Sequence, residues 1–308
     1  MTRVRKQPDR CCQRITWQQI DLAPIQTLIQ LAKEEDLEAG GLKEGTQTPG
    51  DHSSSLLPVD QEGKATLRAR AEIVVCGIPL AQEVLASYHP DLQLEAFCQD
   101  GDLLERHQPL ARVTGPVRAL LSAERPLLNF LQMLSGVSTE TRRYVNALGH
   151  TSTRLLDTRK TTPGYRILEK YAVACGGAWN HRIGLFDRVM LKDNHIAAFG
   201  SDPKSATIKA TQSSRAKHPE MLVEMEVDSL DQIEYALAAD VDVIMLDNFS
   251  NEDLVTAIAI IGDQAATEAS GGITIERLPS IANLGLDFIS TGALVHKSSW
   301  IDIGLDWE

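Results

Sequence analysis

At 308 residues, 43% hydrophobic and 23% charged, the chain is long enough for one large core or two ordinary domains and too apolar for extended disorder. A formal net charge of −12 and a pI near 5.2 exclude a distributed positive surface, and with it non-specific binding to nucleic acid or to anionic membranes. No apolar run reaches the length of a membrane span, Arg3, Arg5 and Lys6 precede no signal-type apolar core, and five cysteines without a C-x-x-C pair argue against a disulfide framework or a zinc site. The expectation is a cytoplasmic protein whose partner is small.

In chain order, Thr16–Ala39 reads as a helix, with Ile20, Leu22, Ile25, Leu28, Ile29 and Leu31 at helical spacing. From Gly40 to Gly63 the composition turns to Gly, Thr, Ser, Pro and Asp, an exposed connection. Short β-type runs follow at Ala71–Cys76, Leu92–Phe97 and Leu110–Gly115, with a helix near Pro79–Tyr88, giving an α+β half. Ala123–Leu148 is helix-rich, and beyond it apolar strands alternate with helices such as Ser229–Ala239 and Asn251–Ile261.

The later apolar runs end at Glu226, Asp247, Ser270 and Thr291, spaced by 21, 23 and 21 residues, the length of one β/α unit. Runs ending near Asp157 and at Lys192 extend the series to at least six strands. In a β/α barrel the C-terminal strand ends converge, so these six residues are expected at one mouth.

The stretch Asp157–His195 carries seven Lys/Arg against four acids, a net +3 within an acidic chain. Such a cationic island points to a polyanionic small molecule. Arg159 and Lys160, followed by two threonines and Pro163-Gly164, offer a phosphate or carboxylate cradle, and Asn180-His181-Arg182 supplies a second cation with further donors. Gly176-Gly177, between two helical segments, is a weaker signal. Lys192 emerges from V-M-L beside Asp193-Asn194-His195, placed to bind an anion or to form a Schiff base. Glu226 and Asp247 suit ribose hydroxyls, a divalent metal, a developing cation, or a salt bridge to the neighbouring cations. Ser270-Gly271-Gly272, before a helix with Thr274 as its cap, and Thr291-Gly292-Ala293 one strand later form two consecutive glycine-bearing loops, the usual phosphate site of such barrels.

The runs A-E-R-P-L-L-N-F-L-Q-M-L-S-G-V-S-T-E-T-R-R-Y-V, D-T-R-K-T-T-P-G-Y-R, G-G-A-W-N-H-R-I-G-L-F-D, L-K-D-N-H, E-V-D-S-L-D-Q, L-D-N-F, S-G-G-I and T-G-A-L-V-H resemble the quinolinate phosphoribosyltransferase family over nearly the whole chain after Lys64. The resemblance implies an α/β fold: an N-terminal α/β sandwich over 1–130, completed by 294–308, and an open, TIM-like α/β barrel of about seven strands over 131–293. It implies transfer of phosphoribosyl from phosphoribosyl pyrophosphate to quinolinate with decarboxylation, giving nicotinate mononucleotide, carbon dioxide and pyrophosphate, in a homodimer or larger homo-oligomer with shared sites. Carried over by position, Arg125 reaches a neighbouring subunit's site. Thr158, Arg159, Lys160, His181, Arg182 and Lys192 surround the quinolinate carboxylates and the pyrophosphate. Glu226 and Asp247 hold ribose hydroxyls and Mg2+, and Ser270, Gly271, Gly272, Thr291, Gly292 and Ala293 take the 5′-phosphate with His296 close behind. Lys160, Lys192, Glu226 and Asp247 carry the chemistry.

The family's G-D-x-T-S run stands here as Gly50-Asp51-His52-Ser53-Ser54, and the usual acid after Arg70 is Ala71, departures that bear on local packing. Two other readings stay open on the residues alone. One is a Schiff-base lyase or aldolase using Lys160 or Lys192; the other is an anion-binding barrel of a metal-uptake context that transfers nothing.

Overall fold

The structure, a computed structural model, describes residues 8–43 and 48–308. Arg3, Arg5, Lys6 and positions 44–47 of the Gly40–Gly63 loop lie outside the described residues. In chain order the elements are α1 (Leu22–Leu37), β1 (Glu62–Ala69), β2 (Ile73–Val74), α2 (Ile78–Tyr88), β3 (Gln93–Ala96), β4 (Leu103–Leu104), β5 (Pro109–Pro116), α3 (Val117–Leu148), β6 (Arg154–Leu156), α4 (Arg166–Cys175) and β7 (Val189–Leu191). There follow α5 (Asp193–Ala197), α6 (Pro203–Lys217), β8 (Val223–Val227), α7 (Leu230–Ala238), β9 (Val243–Asp247), α8 (Asn251–Ile261), β10 (Ala266–Ser270), α9 (Leu278–Ile281), β11 (Phe288–Ser290), α10 (Ala293–His296) and β12 (Ile303–Trp307).

The chain divides into two compact units. One, formed by Ile15–Glu140, Thr162–Gly177 and Ser298–Glu308, is built on an antiparallel sheet in the order β12-β1-β5-β3. The sequence reading passed over β1, whose alternating Ala65, Leu67 and Ala69 are fully buried while Lys64 and Arg68 stay partly exposed. Helix α1 starts at Leu22 rather than at Thr16, because Asp21 takes the N-cap and accepts from the Ala23 amide at 3.0 Å. The short strand β2 has its backbone groups satisfied by α3 hydroxyls: Thr139 Oγ1 accepts from Val74 N at 2.9 Å, and Ser138 Oγ donates to Val74 O at 2.6 Å. The divergent Gly50–Ser54 run does pack locally. Asp51 accepts from the Ser53 and Ser54 amides and from the hydroxyls of Ser54 and Ser122, bonds that hold its carboxyl below the usual range, the Ser54 hydroxyl first among them. Arg70, in turn, pairs with Asp306 on β12.

The other unit comprises the described residues up to Arg14, Thr141–Thr161 and Ala178–Lys297. Its strands are all parallel, in the order β6-β11-β10-β9-β8-β7, and the β9–β10 register sets Asp247 opposite Ser270. Beside β6 the segment around Trp179 adds a seventh extended position: Trp179 N donates to Leu155 O at 2.9 Å and Asp157 N to Trp179 O at 3.1 Å. This is an open α/β barrel. Its β-branched and aliphatic strands are buried on both faces, as a parallel sheet covered by helices requires. An apolar cluster of Cys11, Leu156, Val243, Ala266 and Phe288, flanked by Trp179 and Leu222, includes the first residues of β9, β10 and β11 and fills that end of the sheet. The opposite, C-terminal strand ends carry the polar residues. No helix among the described residues is long and apolar enough to cross a membrane.

Candidate active site

The loop after β6 begins with Asp157, which does not open to the barrel mouth as its strand-end position suggested. It is fully buried, and its carboxylate accepts from Asn180 Nδ2 and from the His181 amide, both at 2.8 Å. A carboxylate so placed fixes the segment that carries His181 and Arg182 against β6. That segment follows Gly176-Gly177, which ends α4 and leads into extended chain rather than into a second helix. Thr158 Oγ1 accepts from Lys160 N at 3.1 Å and so shapes the turn from which Lys160 projects, exposed. Arg159 is half-buried, with its Nε lacking a hydrogen-bond partner. Arg182 donates to Arg188 O at 3.2 Å; burial, and then the nearby Arg159, lower its pKa, so the two guanidinium groups form one cationic patch.

Beneath this patch lies a buried ionic cluster that the sequence reading missed. Glu224 and Glu268 have no solvent exposure, Arg188 and His181 about 5% each. Arg188 NH1 donates to Glu224 Oε2 at 2.9 Å, and its other nitrogen reaches Cys11 O. His181 Nε2 lies 3.3 Å from Glu224 Oε2 and 3.4 Å from Glu268 Oε1. Burial opposes the charge of Glu224, but His181 and Arg188 outweigh it and hold its pKa down at about 2. Burial likewise opposes a charge on His181, while Glu268 and Glu224 raise its proton affinity above the usual histidine value. Against that pull, the Arg182 amide donates to Nδ1 at 2.7 Å and opposes a second proton there, so the proton the carboxylates hold is the one on Nε2.

Lys192, after β7, forms an ion pair with Glu226, at the end of β8. The salt bridge left open for Glu226 in the sequence is therefore present, with the lysine side chain 40% and the carboxylate 24% exposed. Glu226 and Asp247 line a cavity of about 830 Å³ together with Asp193, Asp228, Met225, Gln232 and Tyr235. Of the six strand-end residues expected at one mouth, these two line the cavity. The chemistry is thus divided: carboxylates over β8 and β9, cations over β6 and the His181 segment, with the Lys192–Glu226 pair joining them.

At the end of β10, Ser270 O accepts from Asn248 N at 2.9 Å, and Asn248 itself is left-handed (φ 59°). Gly271 (φ 79°) must be glycine, since a Cβ there would lie 2.3 Å from Asn248 Oδ1. The helix expected from Thr274 starts instead at Leu278, because Thr274 O opens a turn that accepts from both the Arg277 and Leu278 amides. One strand on, Thr291 Oγ1 accepts from Ala293 N at 3.2 Å and donates to Ile273 O at 3.3 Å, tying the two loops together. Gly292 lies under both Lys160 and His296: its Cβ would sit 2.8 Å from Lys160 Cδ and from His296 Nδ1. Ala293 is buried and His296 exposed beside it; Gly272 has open space about it, and Arg125 is exposed on α3.

In the other unit the fold gathers Cys76, Asp100 and Cys175, which sequence spacing did not connect. Asp100 accepts there from Ile78 N at 2.9 Å and Tyr171 OH at 2.7 Å, an anchor for the start of α2.

Residues 137–306 match the profile of the quinolinate phosphoribosyl transferase C-terminal domain, and residues 51–135 that of its N-terminal domain. The chain belongs to the quinolinate phosphoribosyltransferase family. A probable carboxylating nicotinate-nucleotide pyrophosphorylase of Bacillus subtilis is 40% identical over 258 residues, covering 83% of this chain and 88% of its own. A decarboxylating quinolinate phosphoribosyltransferase of Nicotiana tabacum is 37% identical over 296 residues, 91% of this chain and 81% of its own. Among solved structures, the nicotinate-nucleotide pyrophosphorylase of Francisella tularensis is similar with a TM-score of 0.86 at 36% identity, covering 94% of this chain and 98% of that one.

Proposed function

We infer that this member of the family transfers phosphoribosyl from phosphoribosyl pyrophosphate to the ring nitrogen of quinolinate, releasing pyrophosphate and carbon dioxide and leaving nicotinate mononucleotide. The observation that carries the reading is that relatives named for this reaction match over most of their length, while the family's charged and glycine-bearing runs lie on the C-terminal strand ends of one parallel barrel.

Breaking the bond from ribose C1 to pyrophosphate builds positive charge on the sugar and negative charge on the leaving group. Arg159 and Arg182, with Thr158 and with His181 behind them, orient the two quinolinate carboxylates so that the nitrogen lies in line with C1. Lys160 and Lys192 neutralise the pyrophosphate. The loops Ser270–Gly272 and Thr291–Ala293, with His296, anchor the 5′-phosphate through backbone amides. Glu226 and Asp247 hold the ribose hydroxyls and favour the cationic sugar. As two hard-oxygen donors on one cavity wall, they also fit Mg2+, which when bound neutralises the pyrophosphate oxygens. Once quaternised, the pyridine nitrogen is an electron sink for the adjacent carboxylate: the bond from ring carbon to carboxylate breaks, carbon dioxide leaves, and the electron pair left on that carbon takes up a proton from water to give nicotinate mononucleotide.

Arg125 completes the site of a second copy in a homodimer or larger assembly, and the setting is the cytoplasm. Lys192 is engaged by Glu226, and Arg159 and Arg182 crowd the same mouth, a gathering of cations that suits anions and serves no purpose in imine chemistry, which sets the aldolase reading aside. The test is formation of carbon dioxide and nicotinate mononucleotide from quinolinate, phosphoribosyl pyrophosphate and Mg2+. Absence of either product overturns the reading.

A further inference from the structure

Glu268 has no hydrogen-bond partner at either carboxylate oxygen although it is wholly buried on β10. A buried carboxylate held so loosely is costly, and the cost is borne for the group it faces, His181 Nε2 at 3.4 Å. Glu224 flanks the same nitrogen at 3.3 Å, and Arg188 NH1, 3.3 Å from Nε2, closes the cluster. On the far side of the ring, Nδ1 accepts the Arg182 amide at 2.7 Å. Both ring nitrogens thus have protein partners, and a substrate carboxylate finds neither of them available.

We propose that Glu268 is a positioning residue for quinolinate binding: with Glu224, which Arg188 holds in place by its own donated bond, it fixes the plane and tautomer of His181, and His181 through Nδ1 fixes the backbone of Arg182 and so the aim of its guanidinium. The chain of cause is chemical at each link. Acceptors at Nε2 keep the proton there, a lone pair remains at Nδ1, and only a lone pair can receive the Arg182 N–H. With the proton moved to Nδ1, two N–H groups would confront each other and the Arg182 backbone would shift. The proposal rests on the phosphoribosyl-transfer reading for its substrate, not for its geometry.

Two measurements on the full-length chain test it. Glu268→Gln removes the carboxylate charge that holds the Nε2 proton and sets an amide, with its N–H donors, opposite that nitrogen at nearly constant volume. The KM for quinolinate is expected to rise about 10- to 100-fold, the loss of the charge-assisted hydrogen bond from Arg182 to a substrate carboxylate, with the KM for phosphoribosyl pyrophosphate unchanged and the melting temperature no lower. Unaltered quinolinate KM, or an equal rise for both substrates with a lowered melting temperature, overturns it. Independently of any substrate, 15N NMR of the ligand-free chain reads the His181 tautomer. Protonation on Nε2 alone in the wild type, shifted in Glu268→Gln, supports the link. A wild-type ring protonated on both nitrogens, or a tautomer indifferent to Glu268→Gln, overturns it. Failure of the turnover assay with a tautomer that responds would instead count against the substrate assignment.

Discussion

Gly292→Ala separates packing from function at this site. Gly292, the N-cap of α10, has φ −74° and ψ −13°, an ordinary helical conformation, so alanine meets no backbone strain and only caps the helix less well, at a cost of about 1 kcal/mol or less. The added methyl instead meets Lys160 Cδ and His296 Nδ1, each at 2.8 Å, where ordinary contact begins at 3.4 Å. Each group must therefore retreat by 0.6 Å or more (3.4 − 2.8). Both are side chains able to give way, so the fold accommodates the change while a cation and an imidazole leave their places. Misplacement on the order of 1 Å costs about 10²-fold in rate. The expected result is a fall of that order in kcat/KM for phosphoribosyl pyrophosphate, measured by nicotinate mononucleotide formation, with stability to thermal unfolding within about 1 kcal/mol of wild type. Wild-type kinetics would show that Lys160 and His296 do no work above Gly292, and refute the reasoning.

Gly271→Ala differs in kind: a left-handed backbone costs about 1–2 kcal/mol and crowding against Asn248 Oδ1 about 1–3 kcal/mol more, so denaturant unfolding should show a loss of roughly 2–5 kcal/mol. An unchanged midpoint would mean the loop relaxes freely. If Arg125 serves a neighbouring copy's site, mixing inactive Arg125→Ala and Lys192→Ala chains should restore part of the activity through hybrid sites; no recovery argues for self-contained sites. Glu224, whose folded pKa is about 2 against an ordinary 4.5, stabilises the fold above pH 4.5, and that contribution is lost as pH falls from 4.5 toward 2. At 1.36 kcal/mol per pH unit the loss is roughly 3 kcal/mol. Urea midpoints compared at about pH 5 and about pH 3 should fall less in Glu224→Gln than in the wild type; equal falls would assign the acid sensitivity elsewhere.

The barrel was legible because one β/α unit has a nearly fixed length, so a beat of polar residues closing apolar runs marks successive strand ends; β9 and β10 end at Asp247 and Ser270 as that beat predicts. What the beat cannot convey is direction. Asp157 closes its run as convincingly as Asp247 does, yet Asn180 and His181, brought beside β6 by later chain, consume its carboxylate. The same limit hid Cys76 and Cys175, which share a cluster only through tertiary structure. Glu224 and Glu268 were within reach of a finer reading. Strand side chains alternate, so residues two positions before Glu226 and Ser270 share their face of the sheet, one layer deeper. A glutamate at that depth in two strands, with Arg188 entering β7, requires a hydrogen-bond donor between them. His181, the only histidine among the residues assigned to the anion patch before β7, is the group the fold supplies. A second acid two residues below a strand-end ligand therefore marks a support beneath the site rather than another ligand of it.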